Sequence, residues 1–326
     1  MTQQNTHIIP VGIVAGLFAG VIGMAMNTLL MVSPLLAIIV VCFISLPIFI
    51  AAFGWGTVSS IIALSVATFV LIIAQNFYIG ISYMLLFFLP AVYASWLLGL
   101  AQYDTDNQTV KWYPLSSVIF LIISFISIIC VLIGVYIYNQ PSTPLIAQQI
   151  ADVFTNAMRQ TQSADGADIS EVYDLLVTNI VPFLSSGLAT YSVIFLIGNL
   201  YFSLVGAQRM KRLARPREDW PTNFCLPLPA VFIFALAFLG TFLELGMLFK
   251  LCAVVFNTTF MLAFCFCGLA YLHNLSRGMG GRVFILALVY IALFTVVLTL
   301  PIFIVLVMMG IWSTIQNHRQ NDGLTQ

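Results

Sequence analysis

Glu244 falls within the apolar run Cys225–Phe249, while the other acids and bases of the chain lie in connecting segments or at the ends of runs. A charged side chain in hydrocarbon costs at least about 2.5 kcal/mol, so a carboxylate at that depth is a candidate for binding a cation, a proton or a polar ligand. The plainer reading pairs it with Lys250, about one and a half turns further on, near the membrane interface. Asn257, in the next run, is placed to share a cavity with Glu244, and Asn199 in the sixth run is a further candidate ligand contact. Intramembrane amides also serve as hydrogen-bonding glue between helices. Asn27, Gln75, Asn76 and His273 are the remaining strongly polar groups near or within apolar runs.

A second pattern concerns close approach of helices. Ala15, Gly16, Ala19 and Gly20 form a small-residue stripe in the first run, extended by Gly23. Such a stripe packs against another helix of the same chain or docks a partner membrane protein. A third is the basic segment Arg209, Lys211, Arg212, Arg215 and Arg217, which fixes topology and binds anionic headgroups or a cytoplasmic partner. No metalloprotease, nucleophile-elbow or phosphate-loop motif is present, and no two acids share the spans, so no enzyme activity, metal or cofactor is expected. The six cysteines lack zinc or redox spacing and read as packing residues.

These residues must be positioned by membrane helices. The chain of 326 residues is 61% hydrophobic and only 7% charged, against roughly 25% charged in soluble domains. Zero net charge gives no argument for nucleic acid. The runs predict an all-α polytopic transmembrane bundle of about nine spans: Val11–Met31, Leu35–Phe53, Val58–Ala74, Tyr78–Ala101, Leu115–Tyr138, Leu176–Gly206, Cys225–Phe249, Leu251–Leu272 and Val283–Trp312. Eight result if the Glu244–Lys250 junction is a re-entrant hairpin. The start, Met1–Pro10, has no Lys or Arg, so the first run reads as a retained span. One integral membrane domain is expected over 1–326. It comprises a five-span half (1–138), an extracytoplasmic amphipathic segment (139–175), a four-span half (176–313) and a short polar tail (314–326). That amphipathic segment reads as an interfacial helix with Ile146, Ile150, Val153 and Phe154 on its apolar face. A polar break follows at 161–167, and Asp168, Ser170 and Glu171 open the next helix. Lys and Arg collect on the side of residues 111, 209–217 and 277–282, which places the amino terminus in the cytoplasm and the carboxyl terminus outside.

Patches of the sequence resemble the YybS-like family of bacterial membrane proteins, whose function is not established. They are Leu46-Pro47-Ile48 with Phe53-Gly54-Trp55-Gly56, Arg212–Arg217 leading to Phe224-Cys225-Leu226-Pro227, Asn257 with Gly268-Leu269-Ala270, and Met309-Gly310-Ile311-Trp312 with Arg319. Ser313 and Thr314 stand where that family often has an acid. The family is distantly similar to the substrate-binding subunits of energy-coupling-factor transporters. The resemblance implies a non-ATPase transporter component in the bacterial inner membrane. It would bind a small metabolite or vitamin between helices, and Ala15 and Ala19 would dock to a membrane coupling protein. The competing expectation is a membrane scaffold in envelope or cell-shape assembly, using the same helix faces for protein partners.

Overall fold

The computed structural model describes residues 7–104, 109–161 and 169–323; residues 162–168, which hold most of the expected polar break and Asp168, lie outside them. Among the described residues, eight helices are long and apolar enough to cross a bilayer, and two shorter apolar helices accompany them. The protein is an all-α, multi-pass membrane protein.

Breaks in the helices follow local chemistry. The first span is α1 (Ile8–Val32). The second is built from α2 (Pro34–Val41) and α3 (Leu46–Trp55), with Pro34 and Pro47 each in a first turn. Between them the chain is irregular and buried at Ile44 and Ser45, and the Ser45 hydroxyl donates to the Phe87 carbonyl at 3.2 Å. Irregular backbone at membrane depth persists only where protein satisfies it. Gly56, at φ 94, turns the chain into α4 (Thr57–Ala74). The fourth span joins α5 (Phe77–Tyr83), a π-helical turn (Met84–Phe88) and α6 (Leu89–Leu98). Pro90 lacks an N–H and crowds the carbonyl four residues back, and the helix widens just before it. A two-stranded ribbon follows, with β1 (Ala101–Asp104) antiparallel to β2 (Thr109–Trp112) and Ala101 opposite Trp112. The sequence reading had no strand here.

The rest comprises α7 (Leu115–Tyr138), α8 (Thr143–Thr161), α9 (Ile169–Arg209), α10 (Trp220–Asn223), α11 (Pro229–Gly240), α12 (Met247–Leu275), α13 (Arg282–Phe294) and α14 (Val296–Gly323). At 41 residues, α9 is about 60 Å long and exceeds the hydrocarbon core of about 30 Å. Buried Ala147 and Ala151 mark the inward face of α8, which packs on α9. Ile146, Val153 and Phe154, expected on that apolar face, are exposed.

Two expectations are corrected. The seventh run does not form one span: α11 stops at Gly240, residues 241–246 are non-helical, and Gly246 at φ 97 starts α12. The ninth run breaks at Thr295, whose extended backbone separates α13 from α14. After this break α14 packs closely against α12. The two cross at Gly268 and Gly310: a Cβ on Gly268 would collide with the Leu306 carbonyl, and one on Gly310 with that of Phe264. The last turns of α14 therefore return to the face that carries the 209–217 segment, where the Asn317 amide donates to Cys225 Sγ at 2.8 Å. A single ninth span would have left them on the other face.

The small-residue stripe is likewise spent inside the chain. Ala15, Gly16, Ala19 and Gly20 are buried, and α1 lies along α4 in the same direction. A Cβ on Gly12 would stand 2.7 Å from the Ser59 carbonyl oxygen, and one on Gly16 2.6 Å from that of Ala63. The glycines of the stripe thus serve the packing within the chain that the sequence offered as one of its two readings.

Two outcomes are expected. Gly16→Leu and Gly310→Leu each force backbone apart and lower stability by at least about 3 kcal/mol, read as a fall in the thermal unfolding midpoint in detergent. In sealed vesicles, with the native cysteines replaced, Lys211→Cys and Gln316→Cys react with an impermeant thiol reagent from the same side. Labelling from opposite sides would restore the single ninth span.

Candidate functional site

The basic face gathers the start of α1, the Gly56 turn, the β-ribbon, the segment after α9 and the ends of α12 and α14. Its organiser is the way α9 stops. The Arg212 N–H donates to Ala207 O at 3.0 Å and the Lys211 N–H to Gln208 O at 2.9 Å. Lys211 itself is left-handed at φ 56. This is a Schellman closure with Lys in the position usually held by Gly. It turns the chain back across the bundle, so that the next arginines point at the ends of other helices.

Arg215 is 6% exposed. Its guanidinium donates to the carbonyls of Leu98 and Tyr113, both at 3.2 Å, pairs with Glu218, and lies 6.0 Å from the Trp112 ring centroid. It thereby ties the end of α6 to the chain entering α7. Burial pushes the Arg215 pKa down from its ordinary value and the Glu218 carboxyl up, and the attraction between the two opposes both shifts. Glu218 also accepts a backbone hydrogen bond from Leu115. Arg217 donates to the Tyr201 hydroxyl at 3.1 Å, and Asp219 pairs with Arg277 at 2.6 Å. Arg209 and Lys211 are exposed.

Arg212 differs from these. Its guanidinium stacks over the Trp55 ring at 4.3 Å, its stem passes Gly54, and no side-chain hydrogen bond or carboxylate partner occupies it among the described residues. It borders a cleft of about 380 Å³ lined by Trp55, Gly56, Ser95, Trp112 and Arg215, among others. Thr57, which opens α4, also lines the cleft. No side chain caps that helix start, so its first N–H groups and the positive end of its dipole are open. Nearby Glu218 is committed to Arg215 and Asp219 to Arg277. The cleft is thus electropositive, carries Trp55 and Trp112 in its wall, and is suited to an anion.

The expected ligand residues do not converge on it. Glu244 lies exposed in the turn before α12, at the opposite end of that 29-residue helix, about 40 Å from the basic face. It stands in a non-helical turn and not inside a spanning helix. Asn257 is ten residues into α12, about 15 Å from its start, with Oδ1 buried and without a partner. Asn199 is fully buried on α9; its amide donates to Phe195 O at 2.7 Å, and its Oδ1 has no partner. Asn27 instead accepts from the Tyr83 hydroxyl at 3.1 Å, Asn76 caps α5, and His273 meets Tyr290 at 2.9 Å. Sequence reasoning placed the arginines of 209–217 on one interface without joining them to Trp55 and Trp112 in a cleft. The signal available was the Trp-Gly pair at 55–56 on the same side as the basic segment.

Removing the buried guanidinium with Arg215→Ala strands the Glu218 carboxylate and two carbonyls, and is expected to cost about 3 kcal/mol in thermal or denaturant unfolding. Arg215→Lys restores little, because an ammonium cannot span the carbonyls and carboxylate as the planar fork does.

No family model, curated protein or solved structure matches this chain.

Proposed function

We propose that this membrane protein is a transport component without an ATPase of its own, and that it takes a small anionic ligand into the cleft on its basic face. The observation that carries this reading is Arg212: a guanidinium aligned on Trp55 with its donors free, beside an uncapped helix start. Planar, bidentate donors of this kind suit carboxylates and phosphates. Arg212 is exposed, and stacking on Trp55 holds its planar fork in place while the donors stay open to the cleft. By the excess of Lys and Arg, the basic face is the cytoplasmic one, so the ligand is loaded from or released to the cytoplasm of a bacterial cell. The YybS-like resemblance and its link to substrate-binding subunits agree with a passive binding component.

A second reading, a scaffold in envelope assembly, draws on α8. Leu145, Ile146, Val153 and Phe154 are exposed there, although lipid can also cover them.

Gently purified protein should carry an anionic metabolite detectable by native mass spectrometry, and Arg212→Gln should reduce its retention more than tenfold. Glu244→Gln should leave retention unchanged, since that carboxylate is at the far end of α12. A protein that binds no anion across metabolite panels, with the same occupancy in wild type and Arg212→Gln, overturns the transport reading in favour of the scaffold.

A further inference from the structure

The cleft is only half of the cavity system around Arg212. On the other side of the same guanidinium, an apolar groove of about 570 Å³ runs between α1 and α3. Val14, Phe18 and Ile22 line one wall, and Leu46 and Ile50 the other, with Trp55 and Arg212 at its mouth. Trp55 and Arg212 border both cavities. Val14 and Phe18 are 51% and 62% exposed, so the groove opens sideways to the bilayer. Along α1 the lining extends from Val11 to Ile22, about 16 Å of helix. That is about half of a hydrocarbon core of about 30 Å, the depth of one leaflet. The groove exists because the second span is broken: α3 begins only at Leu46, and small Ala15 and Ala51 line the floor between the helices.

An apolar channel one leaflet deep, ending at an unpaired guanidinium beside a polar cleft, has the chemistry of an amphiphile with an anionic head. We propose that the ligand of this site is an anionic phospholipid drawn laterally from the leaflet, with one acyl chain in the α1/α3 groove and its phosphate on Arg212. This rests on the cleft being the ligand site and names the class of ligand. Charge complementarity selects the anionic headgroup. The open side of the groove admits a chain that stays attached to a second chain in the bilayer. The 380 Å³ cleft beyond Arg212 receives the rest of the headgroup.

The test uses the full chain in nanodiscs of equal parts dioleoylphosphatidylglycerol and dioleoylphosphatidylcholine, followed by mild detergent extraction and native mass spectrometry. Wild type is expected to retain one phosphatidylglycerol per chain, with at least a tenfold preference over phosphatidylcholine. Arg212→Gln should abolish the preference, and Arg212→Lys should keep part of it. Val14→Trp, which fills the groove from an exposed position, should expel the lipid while thermal unfolding shows the fold intact. Equal retention of both lipids, or a preference that survives Arg212→Gln, overturns the proposal and leaves ordinary annular lipid. Retention of inorganic phosphate dependent on Arg212, with no retained lipid, overturns the lipid assignment and leaves the transport reading standing. If lipid is retained as expected but neither lipid nor soluble anion crosses proteoliposomes, the lipid site stands and the transport reading fails.

Discussion

The buried guanidinium of Arg215 holds the basic face together. Two carbonyls, from Leu98 and Tyr113, converge on it, and both belong to chain ends that a helix or strand cannot satisfy by itself. Helix ends leave carbonyls without partners, and at the edge of a bilayer water reaches them only in part. One planar donor answers both and is neutralised by Glu218. The order of the surrounding pieces follows from that contact. The Schellman turn at Lys211 fixes where Arg215 can reach, and the same turn sets Arg212 on Trp55. One chain reversal thus builds both a structural tie and an unoccupied cation side by side, and only the second has donors to spare.

Within the bilayer the organising constraint is distance between helix axes. Hydrocarbon gives no hydrophobic reward for association, so close backbone packing must supply it. Two pairs achieve it: α1 against α4, in the same direction, through Gly12, Gly16 and Gly20, and α12 against α14 through Gly268 and Gly310. Parallel neighbours require an intervening element that brings the chain back. The broken second span does so for α1 and α4. The return of α13 places the last turns of α14 beside Cys225 on the basic face.

The break in the second span also has a consequence for ligands. A straight helix would have packed along the whole of α1 and closed the groove. Starting α3 at Leu46, with Ser45 bonded across to Phe87, leaves one leaflet's depth of α1 facing lipid beside Trp55 and Arg212. Polar cleft and apolar groove meet at those two residues, and neither is lined by Glu244, Asn257 or Asn199. The unpartnered oxygens of Asn199 and Asn257 belong to separate helices, α9 and α12.

Much of this was readable from composition. A chain 61% hydrophobic and 7% charged can satisfy its backbone in lipid only as helices, so the all-α bundle, most span positions and the gathering of basic loops on one side followed without coordinates. Hydropathy counts apolar residues but does not register where a helix stops inside a run. Gly246 and Thr295 interrupt apolar stretches with backbone geometry, not with charge, and this is why Glu244 appeared deep and the last run appeared single. A small-residue stripe shows that some helix comes close, whereas its identity depends on packing partners far away in sequence, here α4. The meeting of Trp55, Trp112, Arg212 and Arg215 was decided by tertiary structure alone. These residues lie on three connecting segments, and only the left-handed turn at Lys211 and the shared carbonyls of Leu98 and Tyr113 bring them into one cleft.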